Sequence, residues 1–516
     1  MRDHSQFWNG HRGQEHEGCR SPSMFPVSGR NRQKGVGSTL TSEFSLVGIP
    51  RRPIVEVTVF AALILFACAP DEGSDTALAQ EPLPEIWGLV PAEDKDPDPD
   101  VVEYHMEAST AEVTWLEGLP TEVWAYNDRV PGPLLQARVG QTVRVIFYND
   151  LDEPTTIHWH GLRIDSAMDG TPMVQDPIQP GETFVYEFVP PDAASFWFHP
   201  HMRSHIQVER GLHGSLVVHE EEDLPVDKDR VFVIDDIRLD EDGSISRFVL
   251  SNPDGRHGRL GNMLLVNGVS ELIEDTTQPG AVERWRVVNV ANARTMWVKV
   301  QGAAWRIIGT DGGLIPEPYT TSRLRVPVGA RYDLEVIPDA DAEAVSLEIL
   351  LPNESGYDHY PMFEATVSGE NLGGTPLDWG GLALPAVEES QQEVVLELNL
   401  EDGGLRDKWT INGEAYEDAE DLLVEGGLPS EVVIRNKSLF EHPFHLHGQF
   451  FQILTRNDEP VEDMPGMKDT VLVEGEDEVR LYTDFNNPGL WMAHCHILEH
   501  AELGMMVNMV VSEPTP

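Results

Sequence analysis

Through the body of the chain, apolar and polar residues alternate in short runs, and Gly, Pro, Asn or Asp separates one run from the next. QTVRVIFYND, ETFVYEFVP, GSLVVHE, RVFVID, ERWRVVNVA, YDLEVIPD and EVVLELNL all follow this pattern. A period of two puts alternate side chains on one face of a strand, so these runs predict β-strands half or fully buried in a sheet. No segment sustains the 3.6-residue period of a long amphipathic helix. Many short strands with turn residues between them predict an all-β protein built of β-sandwiches.

The runs also repeat one another. Residues 140–161 (GQTVRVIFYNDLDEPTTIHWHG) and 429–448 (PSEVVIRNKSLFEHPFHLHG) share a strand, an Asn-containing turn and then His-x-His-Gly. Residues 279–302 have the strand and turn without the histidine pair. Residues 181–201, ending FWFHPH, match 475–496, ending WMAHCH, and 329–339 is their middle counterpart, again without His-x-His. Three related sandwich domains are therefore predicted, at 85–222, 223–375 and 388–516, with ligands kept only in the first and third. Gly/Pro-rich 368–390 and acidic 219–229 read as the linkers. A chain of 516 residues is long enough for three domains of ordinary size.

Charge narrows the choice of partner. The chain holds 36 Lys and Arg against 88 Asp and Glu, a net charge of −52. Residues 1–70 account for eight of the former and five of the latter, which leaves 28 against 83 in residues 71–516. The acidity thus belongs to the folded part. Such a surface excludes nucleic acid as a partner, keeps the protein soluble and raises the local concentration of cations.

Ahead of the body, Arg51 and Arg52 precede an apolar run, Val57 to Ala67, that is too short for an ordinary membrane span. This reads as an export signal. LFAC (65–68) resembles a lipoprotein box that makes Cys68 a lipidated N-terminus, and ALAQ (77–80) is the small-x-small alternative. A periplasmic or cell-surface protein is expected, with Cys68 as candidate lipid anchor, and residues 1–80 are set aside from the fold. The cysteines are Cys19, Cys68 and Cys495, so the body keeps one, without an internal disulfide.

That cysteine stands between two histidines. Four clusters, HWHG (His158, His160), FHPH (His199, His201), HPFHLHG (His442, His445, His447) and HCHILEH (His494, His496, His500), hold ten of the 19 histidines. One His-x-His alone is usually a half-exposed polar pair on a strand. Four of them at equivalent points of two related domains point to metal binding. On a strand, His494 and His496 share a face and Cys495 takes the other. A thiolate with imidazole partners suits copper, whereas an all-histidine set suits copper, zinc or iron. His500 and Met505 follow Cys495 in one loop, and His442 is the odd member of its cluster, so a His₂Cys site with axial Met is predicted. The remaining eight histidines suffice for three metal ions with open positions. An open polynuclear site beside a one-electron site implies multi-electron chemistry on a small molecule such as dioxygen.

At these residues the chain resembles the multicopper oxidases, in particular three-domain bacterial laccases and copper-efflux oxidases. GMKDTVLV (466–473) and VPGPLLQARVGQTV (130–143) also resemble the family. The resemblance implies three cupredoxin-like Greek-key sandwiches and four copper ions. His442, Cys495, His500 and Met505 would hold the type 1 ion, and His158 and His445 the type 2 ion. His160, His199, His201, His447, His494 and His496 would hold the type 3 pair. Asp169 matches an acid that delivers protons in the family. Many bacterial relatives carry a second acid directly after the type 1 histidine. Here that residue is Ala501, and Glu499 or Glu502 is the substitute.

The copper-efflux oxidases that the chain resembles carry a methionine-rich insert and acidic and Met residues just before the third motif. Here there is no such insert, and Ser438 and Phe440 stand in the corresponding places, so the resemblance does not imply a dedicated Cu(I) site. Met263, Met296 and Met362 read as core fillers. His205, His213, His219 and His257 read as surface or supporting residues. The expected activity is a laccase-like oxidation of phenols or aromatic amines by O₂, by a monomer. The alternative is a metallo-oxidase for Cu(I), Mn(II) or Fe(II). A copper-free scaffold would not need the ligand set, and an electron carrier would not need the eight further histidines.

Overall fold

The period-two runs form strands in the computed structural model, which describes residues 83–379, 382–402, 406–461 and 465–514. The export signal and Cys68 lie outside the described residues. The strand Thr142–Asn149 illustrates the pattern: Val143, Val145 and Phe147 are fully buried, while Tyr148 on the other face is exposed. The described helices are short, and the three α-helices, Ser204–Gln207, Asp254–His257 and Leu498–Glu502, have four or five residues each. Among the described residues, no helix is long and apolar enough to cross a membrane.

Six sheets pack in pairs around three apolar cores. Each pair repeats one crossover. In one sheet the pairs Val101–Leu116 with Thr142–Asn149, Lys228–Ile237 with Glu283–Asn289, and Gln392–Glu401 with Ser430–Asn436 run parallel. In the facing sheet the corresponding parallel pairs are Leu135–Arg138 with Gly214–His219, Ile273–Thr277 with Gly356–Val367, and Leu422–Val424 with Met506–Val511. The threefold repeat of the sequence is therefore a threefold repeat of topology.

One strand departs from the expected partition. Ile86–Trp87, placed in the first domain from sequence, adds in parallel to the middle domain's sheet, opposite Asp229 and Arg230. Trp87 packs its ring 5.8 Å from Phe232 and 5.1 Å from Phe363, which draws the segment there. Two residues carry no periodicity that could have announced this.

Register then positions the histidines. In the first domain His158 lies opposite His199. In the third, Gly489–Cys495 runs between Met506–Val511 and His442–Leu446, with His494 opposite His445 and Cys495 opposite Phe444. Both strands are buried on both faces, except at the Gly489 end. The Gly of each His-x-His-Gly is required sterically. Gly448 has φ +63°, and a Cβ there would lie 2.5 Å from the Trp491 ring.

Candidate metal centres

The eight histidines of the first and third domains converge on one buried basin at the seam between those domains. His158 stacks on His447 with ring centroids 3.9 Å apart, and His160 stacks on His445 at 3.8 Å. Around these pairs, His199 lies 5.3 Å from His158, His496 lies 5.0 Å from His160, and His201 lies 5.3 Å from His494. Ligand atoms come within 4.8 Å of one another in three all-histidine groups: His158, His160 and His199; His158, His445 and His447; and His201, His447 and His494.

Hydrogen bonds on the far side of the rings decide which nitrogen faces inward. The Nδ1–H groups of His158, His199, His445 and His494 donate to the carbonyls of Asp169 (2.8 Å), Pro200 (3.0 Å), Asp469 (2.9 Å) and Cys495 (2.9 Å). A carbonyl only accepts, so each of these rings carries its proton on Nδ1 and leaves Nε2 bare. His447 Nδ1–H donates to the Asp169 carboxylate at 2.9 Å. His160 is turned the other way: its Nε2–H donates to the Asp469 carboxylate at 3.3 Å and its Nδ1 faces inward.

The inward nitrogens of His158, His160, His199, His201 and His445, and both nitrogens of His496, find no hydrogen-bond partner among the described residues. His447 and His494 point Nε2 at Nε2 across 3.0 Å, lone pair to lone pair. A buried acceptor left unpaired costs about 1–3 kcal/mol. Converged bare imidazole nitrogens are therefore the arrangement that bound cations relieve, and this donor set fits metal ions. Burial, reinforced by the neighbouring imidazoles, pushes His160, His199, His201, His447 and His496 well below the usual range, and His494 down to about 3. These rings are neutral, which is the ligand form.

Cys495 points away from that basin. Its Sγ lies 3.4 Å from His442 Nδ1 and 3.6 Å from His500 Nδ1, and these two nitrogens are 3.2 Å apart. Again the far nitrogens are held. His500 Nε2–H donates to the Arg256 carbonyl at 3.1 Å. The Ser438 hydroxyl donates to Asn436, so at 3.0 Å it accepts from His442 Nε2–H. Met505 is fully buried in the same core, and its carbonyl accepts the Cys495 N–H at 3.1 Å. Burial pushes the Cys495 thiol up and the His442 imidazole down to about 3. A bound metal ion reverses the first effect, because a coordinating thiol is deprotonated.

Trp409 covers this thiolate site, with its ring 4.0 Å from that of His500. The middle domain caps it: the short helix Asp254–His257 presents the Gly255 carbonyl to Trp409 Nε1–H (2.7 Å) and the Arg256 carbonyl to His500. A cleft of about 250 Å³ opens beside the cap, lined by Arg256, His257, Leu260, Phe440, Glu441 and His500 among others.

The supporting acids are placed as follows. Asp169 is buried, with one carboxylate oxygen on His447 and the other 3.3 Å from His158 Nδ1. Glu499 is buried against the middle domain, accepting from the Arg259 backbone N–H at 3.0 Å and Asn292 Nδ2 at 3.1 Å, and burial raises its carboxyl. Glu502 is partly exposed, 3.3 Å from His205 Nδ1. Neither Glu joins any of the described ligand groups. His205, His213 and His219 are buried, which fits supporting rather than surface residues. Met296 and Met362 are core residues as expected.

Sequence reasoning gave no supporting role to Asp469, Ser438 or the Asp254–His257 cap, which bond candidate ligand rings, or to Arg331, which bonds Asp469. Asp469, Arg331 and Ser438 lay in segments already quoted (GMKDTVLV, 329–339 and 429–448), but nothing in those segments marked them as supports.

Three family models described as multicopper oxidase match residues 107–223, 246–344 and 390–515. A Campylobacter jejuni multicopper oxidase, titled a metallo-oxidase, is similar at 28% identity with a TM-score of 0.74, over 84% of this chain and 96% of that one. A multicopper oxidase from Pseudomonas thermotolerans is similar at 31% identity and a TM-score of 0.70, over 80% and 99%. A laccase-like enzyme from an Ochrobactrum species, titled as active on lignin model compounds and lignosulfonate, is similar at 28% identity and a TM-score of 0.71, over 83% and 100%.

Proposed function

The chain belongs to the multicopper oxidase family, and from that premise we propose that it is an exported, laccase-like oxidase of phenols or aromatic amines. Its domains are cupredoxin-like, it is a copper-binding oxidoreductase, and its co-substrates are O₂ and a reductant. Copper would supply one-electron oxidation at the thiolate site and the four-electron reduction of O₂ to two waters in the basin. The ligand assignment proposed is type 1 on His442, Cys495, His500 and Met505, type 2 on His158 and His445, and the type 3 pair on the other six histidines.

One observation carries this reading. Cys495 faces His442 and His500 while its chain neighbours His494 and His496 face the basin. Sulfur therefore connects to either neighbouring imidazole entirely through covalent bonds of the same strand. Four protons must accompany four electrons. Asp169, bonded to His447 and beside His158, holds a proton acceptor at the basin edge, and Glu502 and Glu499 are the acids proposed on the thiolate side. The cleft at Phe440 and His500 would receive the organic substrate, with electrons entering through the His500 edge and the Arg256 carbonyl. Tethering through lipidated Cys68 and a monomeric state complete the proposal.

A second reading, oxidation of Cu(I), Mn(II) or Fe(II), is favoured by a larger cleft of about 470 Å³ at Ala501–Gly504. Its walls carry Asp407, Glu417, Asp418 and Glu502 against Arg406 and Lys408, an excess of acid that attracts cations. The Campylobacter jejuni relative is titled a metallo-oxidase.

Copper-loaded protein is expected to be blue and to bind about four ions, as the donor count implies. O₂ uptake should be faster with a phenol than with any of the three metal ions. Uptake with a metal ion alone would replace the first substrate class by the second. A colourless protein holding no tightly bound copper would end both.

A further inference from the structure

Among the described residues the middle domain carries no candidate ligand, yet it reaches the wall of the basin through Arg331, beside Asp311, whose carboxylate accepts the Asp469 and Thr470 backbone N–H groups at 3.3 Å. Arg331, the first residue of the strand Arg331–Pro338, is fully buried. Its fork is bidentate on Asp469, with Nη1 at 2.7 Å and Nη2 at 2.6 Å from the two carboxylate oxygens. Nε donates to the Ser195 carbonyl of the first domain at 2.9 Å. The two remaining N–H groups donate to the carbonyls of Gly329 (3.2 Å) and Asp311 (3.0 Å). All five guanidinium donors are thus used, and one residue of each domain is joined at a single point.

Asp469 is what the fork holds in place. Its carboxylate accepts His160 Nε2–H at 3.3 Å and the Thr470 hydroxyl at 2.9 Å, and its carbonyl accepts His445 Nδ1–H at 2.9 Å. His160 and His445 are one of the two stacked pairs that cross the seam. His160 is also the ring turned to present Nδ1, and Asp469 is the group that turns it. The charges close locally, because Lys468 Nζ lies 3.0 Å from the Asp311 carboxylate, which in turn accepts the Arg331 backbone N–H. Space is reserved for the fork as well: a Cβ on Gly161, directly after His160, would lie 2.3 Å from Arg331 Nη2.

We propose that Arg331 is a positioning residue for the basin: by locking Asp469 it makes His160 offer Nδ1 and His445 offer Nε2 to the metal ions on either side of the stacked pair. The middle domain thereby sets metal affinity at a site to which it contributes no ligand. This rests on the reading of the basin as a copper site.

The test uses full-length, copper-loaded protein and a chelator titration that follows basin copper and the blue thiolate band separately. Lys keeps the charge but cannot form the fork. Arg331→Lys is therefore expected to release basin copper at a chelator concentration roughly 10–100-fold lower than wild type, as for other groups that orient metal ligands, with the blue band retained. Arg331→Met is expected to act in the same direction and more strongly. Arg286→Met is the control: Arg286 is equally buried and its side chain bonds Asp229, the Ser195 hydroxyl and Asp333 but no histidine of the basin and not Asp469. Its release curve should match wild type even if its melting temperature falls.

Equal release from Arg331→Lys and wild type would overturn the role of Arg331 alone. So would loss of both kinds of copper together with the cooperative melt in the Arg331 variants, since that is the mark of general support for the fold. Wild-type protein that held copper only at the thiolate would overturn the reading of the basin and this inference with it.

Discussion

The two faces of the strand Gly489–Cys495 are built by different means. On the sulfur side, Cys495, His500 and Met505 come from one loop and only His442 comes from a neighbouring strand, all within the third domain. On the other side, eight rings come from two domains, and their orientation depends on Asp169 and Asp469 placed across the seam. The local centre draws all its candidate ligands from one domain, although the Arg256 carbonyl of the middle domain also holds the His500 ring. An interfacial centre is specified by how domains dock, and so by residues that never touch metal.

This contrast can be broken in graded ways. Cys495→Ser should abolish the blue band and reduce O₂ consumption to background together, because it removes both the soft ligand and the link between the faces. Persistence of turnover would dissolve the distinction between a feeding site and a fed one. Asp169→Asn should spare the blue band while lowering turnover or basin copper affinity by roughly 10–100-fold, the usual cost of losing a group that orients metal ligands. Parallel copper analysis and steady-state rates distinguish the two effects.

Trp409→Ala empties the space over His500 and removes the donor to Gly255, so it should cost about 3–5 kcal/mol in thermal or denaturant unfolding. Its spectral change should be confined to the thiolate centre. Ser438→Ala is the mildest. It leaves His442 Nε2–H without its acceptor, a loss of about 1–3 kcal/mol, with a small shift of the blue band and unchanged basin copper. A change in basin copper in either of the last two variants would show that the faces are not independently built.

The convergence of the candidate ligands was legible in the sequence because a strand turns spacing into geometry. His-x-His puts two rings on one face, and His-Cys-His necessarily puts sulfur on the other. The threefold repeat was legible for the same reason, since period-two runs recur in matching order. What stayed hidden depends on contacts distant in sequence. Arg331 meets Asp469 across 138 positions and His160 meets it across 309, and neither spacing leaves any periodic trace. The Arg256 cap acts through a backbone carbonyl, which no side-chain pattern can signal. Ile86–Trp87 joins the middle sheet through two residues, too few to alternate.

The neck formed by the Cys495 amide and the Met505 carbonyl has a practical consequence. It cinches residues 495–505 into a noose whose two ends leave on adjacent strands, Gly489–Cys495 and Met506–Val511. A segment closed at its base in this way can be exchanged as a cassette. Lengthening or regrafting the part of it beyond His496 should retune the absorption and redox potential of copper held at the thiolate site while the histidine basin behind the strand keeps its shape.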